Sequence, residues 1–219
     1  MSTISKSTTS TTNKRNSTSS ANRCAVEQIQ AIAAKHLSRQ TPQGQSTNTR
    51  LSSLKGVKYN TKTLAKALIL ELLSLEQEVI AASLGDDEAE VSACLKTLNR
   101  VFKNLLLQKF NKNYYAYAFC LFNRVLQSEQ CAEKLPVSPG DVTKIYCVCF
   151  FIAFKMLEDC PIMFTEDLST LTGYSVEMIE ALEKVVLTDV LGWSAWVTKK
   201  EVEVCKAELI TEYLSRKDE

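Results

Sequence analysis

The stretch from Ile145 to Phe154, IYCVCFFIAF, is ten residues without a charge, held between Lys144 and Lys155. It is too short to cross a bilayer, which takes about 20 apolar residues as a helix. Wound as a helix it is apolar on every side, and in a protein surrounded by water such a helix demands neighbours all round. Just upstream, Ser138, Pro139, Gly140 and Asp141 form a helix opening. Ser caps, Pro sits at a first position where its missing N–H costs nothing, and Asp lies near the positive end of the dipole. The helix is expected to run to Leu157 and to be the centre of an all-α domain.

The flanking sequence supplies the neighbours. Upstream, Leu64, Leu68, Leu72, Leu75 and Val79 share one face of a helix between Thr61 and Leu84, which Gly85 terminates. Asp87 and Glu90 resemble a capping box for a helix with the face Val91, Cys94, Leu95, Leu98, Phe102, Leu105 and Leu106. A third helix, from about Tyr114 to Gln127, presents Tyr117, Cys120, Leu121 and Val125, and ends before Pro136. Downstream of Pro161, Thr165 starts a short helix closed by Gly173. Ser175 caps another that carries Met178, Ile179, Leu182, Val186 and Val190 toward Gly192. A last amphipathic helix shows Val202, Cys205, Leu209 and Tyr213.

The N-terminal quarter differs in kind. Thirteen of the first twenty residues are Ser or Thr, too polar to offset chain entropy by burial, so residues 1–24 are expected to be a disordered tail. Within residues 25–59, Val26, Ile29, Ala33 and Leu37 recur at helical spacing, followed by a basic linker. Residues 60–219 form the helical domain. Up to Lys58 the chain carries nine basic residues and one acid, a charge of +8, which leaves −7 on the remainder. A basic arm on an acidic body could meet nucleic acid, but its charges are spread singly, and nucleic acid is the less favoured partner.

Composition excludes most catalytic chemistries. Six Gly and four Pro in 219 residues leave few turn signals and no phosphate-cradling glycine loop. His36 is the single histidine, so no multi-histidine metal site exists and no acyl-transfer triad assembles without it. No catalytic residue, cofactor, metal or small-molecule substrate is expected. None of the eight cysteines forms a CxxC pair, and with no secretory h-region at the start they read as reduced, small core hydrophobes. A nuclear or cytoplasmic location follows as the expectation, with no membrane-spanning segment.

Three segments resemble the cyclin box. Phe122-Asn123-Arg124-Val125-Leu126 is similar to the Asp-Arg-Phe-Leu-like end of its second helix. Ala153-Phe154-Lys155-Met156-Leu157-Glu158-Asp159, then Pro161, resembles the end of the third. Leu182-Glu183-Lys184-Val185-Val186-Leu187, running on to Trp193, resembles the fifth. The likeness covers about residues 90–196 and implies a five-helix box around the central helix with flanking N- and C-terminal helices. With twenty-three residues after Trp196, it implies a single box, closer in size to the short P/U-type cyclins than to mitotic ones.

The resemblance further implies a non-catalytic subunit that binds and activates a cyclin-dependent Ser/Thr kinase by holding its PSTAIRE-like helix. Carried over, Lys155 and Glu183 would make the paired kinase contact, with Ile152, Met156 and Leu187 as the apolar pocket. The residues also admit plainer roles: a helix-end cation for Lys155, a locally paired acid for Glu183, core packing for the other three. A helical transcription-factor or scaffold protein, with the basic arm on DNA, is the alternative. The sequence departs from the family at Asn123, where Asp is usual, at Phe154, where a small residue is usual, and near Lys96 and Arg100, where neither clearly replaces the docking Arg of the first box helix.

Overall fold

The computed structural model describes Ala31 and residues 60–84, 88–108, 110–135, 140–158 and 163–217. The tail over 1–24, most of 25–59 including His36, and Gly85, Asp87, Ser138, Pro139 and Pro161 lie outside the described residues. Within them the elements are helical: α1 (Thr61–Leu84), α2 (Glu88–Leu107), α3 (Lys112–Gln127), α4 (Glu129–Lys134), α5 (Asp141–Leu157), α6 (Thr165–Thr172), α7 (Val176–Val185) and α8 (Lys199–Ser215). A π-helical turn, Val186–Val190, continues α7.

α5 is the buried centre. Every residue from Ile145 to Phe154 is at most 4% exposed. α3 packs along it most extensively, with α1 and α7 alongside. Aromatic rings fill the space between helices: Phe102 and Phe122 of α2 and α3 meet Tyr146 at centroid distances of 5.4 and 5.9 Å, and Tyr115 meets Phe150 at 5.3 Å. Buried phenols need acceptors. Tyr146 donates to the Tyr115 carbonyl and Tyr115 to the Leu105 carbonyl, so the polar atoms of this core bind helix to helix. Burial pushes both phenols up in pKa.

α3 is buried on more than the one expected face. Besides Tyr117, Leu121 and Val125, the core takes Tyr115, Ala116, Ala118, Phe119, Phe122 and Leu126, because α8 and α1 cover sides that α5 leaves open. The chain then forms α4, which the spacing did not predict. Ser128 ends α3 and caps α4, accepting from the Gln130 N–H at 3.3 Å.

The start of α5 also differs from expectation. Its N-cap is Gly140, with φ 91° and no side-chain cap of its own, rather than Ser138 with Pro139 inside the first turn. The left-handed backbone is open to glycine at little cost, and the capping oxygen comes from another helix. Glu76 of α1 is wholly buried. Its carboxylate accepts from the Gly140 N–H and from the Thr143 hydroxyl and N–H. A carboxylate from a separate helix thus satisfies orphan donors at the positive end of the central helix.

Burial dominates the titration of Glu76 and holds its carboxyl above the usual 4.5 despite these hydrogen bonds, with Asp141 adding to the rise. A carboxyl whose pKa is raised by folding stabilises the fold below its unfolded pKa and loses that contribution as pH rises through the folded value. Glu76→Gln should therefore gain stability relative to the natural chain as pH rises from about 4.5 to 7. Urea midpoints measured across this range check it; a constant difference would contradict it. Glu76→Ala, which strands the buried donors, should lose about 1–3 kcal/mol in the same assay.

Candidate functional site

Lys155 lies in the last turn of α5, where the helix dipole favours a cation. Its Nζ is 2.7 and 3.0 Å from the two carboxylate oxygens of Glu183 on α7, and 4.1 Å from the centre of the Phe151 ring. Two residues separated by 28 positions are thus brought together at one end of the central helix. The Lys155 side chain is 40% exposed and that of Glu183 14%, so the cation faces outward over a largely covered carboxylate. Ser175 fixes the start of α7 by accepting from the Met178 N–H, and Ile179 anchors it in the core. Glu183 is thereby presented from a helix whose start and inner face are both fixed.

The three apolar residues expected beside this pair have different environments. Ile152 is 2% exposed and belongs to the core. Leu187, in the π-helical turn, is partly buried against that core. Met156 is exposed, as is its neighbour Leu157, which the sequence did not single out. Phe151, under the Lys155 ammonium, was also missed. Its place in the apolar run marked it only as core, although its spacing of four from Lys155 puts both on one face.

Past the π-helical turn, Gly192 and Trp193 both take left-handed backbone, φ 52° and 65°, unusual for a residue as bulky as Trp. The Trp193 N–H donates to the Leu187 carbonyl at 2.7 Å. The indoles of Trp193 and Trp196 are largely exposed. α3 holds the strand of chain that follows. The Tyr117 hydroxyl donates to the Ala195 carbonyl and accepts from the Val197 N–H, both at 2.9 Å. Arg124 donates to the carbonyls of Ser194 and Trp196 and pairs with Glu201. Arg124 in the motif-like segment is therefore a clamp between the end of α3, the segment after α7 and the start of α8.

Among the described residues no group of three His, Cys, Asp or Glu could hold a metal ion, and no helix is long and apolar enough to cross a membrane. The described core is an all-α box: α2, α3, α6 and α7 around α5, flanked by α1 and α8. The family model of the cyclin N-terminal domain matches residues 92–195, the span that carries these five helices. This span is a cyclin box, a domain of regulatory rather than catalytic proteins. No curated protein and no solved structure matches the chain.

Glu201 reports on the clamp. The Thr198 hydroxyl and N–H, and then Arg124, draw its carboxyl down to about 2. A carboxyl lowered by folding stabilises the fold above its unfolded pKa and loses that contribution as pH falls through the folded value. Between pH 4.5 and about 2 the natural chain should therefore lose stability that Glu201→Gln does not lose. Thermal melts at steps across this window check it; parallel acid profiles would refute it.

Proposed function

We propose that the chain is the regulatory subunit of a cyclin-dependent Ser/Thr protein kinase and that the end of the box around Lys155 and Glu183 receives the kinase's mobile PSTAIRE-like helix. The observation that supports this reading is the two-point contact from Lys155 Nζ to Glu183, made over the Phe151 ring. An exposed ion pair contributes on the order of 0–1 kcal/mol to stability, so the fold gains little from holding it. A partner gains more. The ammonium is already positioned and can donate to a backbone carbonyl at the end of an incoming helix without first losing side-chain freedom. Met156 and Leu157 beside it offer apolar surface, with Leu187 on the flank and Ile152 as the floor beneath.

A rigid site of this kind acts by positioning. The kinase's catalytic Lys–Glu pair forms only when its mobile helix is swung in, and a fixed apolar surface with one charged register point can hold that helix. The chain contributes no reacting group.

Replacing both Lys155 and Glu183 with Ala should reduce recovery of a cyclin-dependent kinase with the tagged chain at least tenfold, with circular dichroism unchanged. Met156→Glu should act in the same direction. Mass spectrometry of the recovered proteins and a peptide phosphorylation assay give the readouts. Undiminished kinase recovery with the double variant would overturn the site.

A further inference from the structure

A cleft of about 540 Å³ opens at the same end of the box, between the α2–α3 turn, the end of α5 and α6. Phe110, Tyr114, Phe154 and Met163 supply its apolar lining, and Glu158 and Asp167 its charge; among the described residues no Lys, Arg or His lines it. The three rings contact one another, Phe110 to Phe154 at 5.8 Å and Tyr114 to Phe154 at 5.3 Å. Asp167 is engaged with the Phe164 N–H at the start of α6. Such a surface suits apolar side chains accompanied by a cation, which gains from both carboxylates and ring faces.

The chain itself holds a segment with that chemistry. Between Ala25 and Leu37, Val26, Ile29, Ala33 and Leu37 recur at helical spacing, and Arg23, Lys35 and Arg39 accompany them, within an arm of charge +8. Ala31, the described residue of this segment, is helical and exposed. The arm joins the box at Asn60. Glu76, in the later part of α1, reaches Gly140 at the start of α5. The chain from α2 to Phe110 advances in the same direction as α5, since Phe102 meets Tyr146 and Phe110 meets Phe150. Three residues link α1 to α2, and the two pack together, so α1 begins where α2 and α5 end. That is the cleft's end of the bundle. The 23 residues from 38 to 60, even as random coil, reach about 26 Å.

We propose that this cleft is the docking site for the basic amphipathic segment Ala25–Leu37 of the chain's own arm. Val26 and Ile29 enter among Phe110, Tyr114 and Met163, and the flanking cations meet Glu158 and Asp167. The proposal is independent of the kinase contact.

The test uses the full chain with Ile29 replaced by p-benzoylphenylalanine, irradiated at low micromolar concentration. Mass spectrometry should place most cross-links within one chain, on peptides carrying Phe110, Tyr114 or Met163. Yield should fall at least threefold with Glu158→Lys, with Thr170→Arg at the cleft wall, and on raising salt from about 0.05 to 0.5 M. Thr170→Arg leaves the end of α5 untouched, so loss with both variants is not a folding artefact; circular dichroism checks each. Cross-links on other faces, cross-links between two chains, an absence of cross-links, or a yield indifferent to both variants would overturn the proposal.

Discussion

Everything in the box follows from the need to bury one helix on all sides. With Ile145 to Phe154 apolar round the whole circumference, α5 leaves no face that can be given to water, and each buried large side chain is worth about 1.5–3 kcal/mol against exposure. The other helices are arranged as its walls. What cannot be walled in are the two ends, where backbone groups have no partner within the helix. At the start the fold brings the Glu76 carboxylate from α1. At the finish it leaves Lys155 outside, paired with Glu183 and resting on Phe151. Of the two polar ends, the one left outside is the one the proposed function assigns to the partner.

The same logic extends to the C-terminal part. The segment from Ser194 to Val197 has no regular structure of its own, so its carbonyls and N–H groups need outside partners. Tyr117 and Arg124 on α3 provide them, and Glu201 completes the link to α8. α8 in turn packs against α3 and α1 and is tied to α1 through Arg216 and Glu71. The flanking helices are therefore part of the box's support. Trp193 and Trp196 stay outside while the backbone between them is fixed.

The centre was legible in the sequence because an all-round apolar run has one physical solution. α3 carried a similar signal in Tyr114 to Phe122, nine residues without a charge, yet a single face suggests itself when Tyr and Cys are taken as half-polar. Glu76 and Lys206 were hidden differently. Each stands four residues after one buried apolar residue and three before another, Leu72 and Val79 for Glu76, Val202 and Leu209 for Lys206. Spacing put them on inner faces, but only tertiary partners explain a charge there: Gly140 and Thr143 for the one, Asn113 and Glu203 for the other. The cap of α5 was misplaced for the same reason, since its oxygen comes from 64 positions away. The π-helical turn leaves the positions of Val186 and Val190 compatible with an ordinary helix and so gives no pattern of its own. Lys155 and Glu183 were named through the family resemblance, and their meeting across α5 and α7 is a fact of the fold alone.

Under the proposed function, the cyclin box would offer a kinase one prepared helix end, where a cation is fixed by a carboxylate and a ring and apolar side chains stand exposed beside it. The most direct measurement is amide hydrogen exchange of the full chain, alone and with each of a panel of purified cyclin-dependent kinases. At least one kinase should slow exchange in residues 152–158 and 182–190 while the start of α5 around Gly140 is unchanged. Binding that protects other faces and leaves both of those segments exchanging as in the free chain would contradict it.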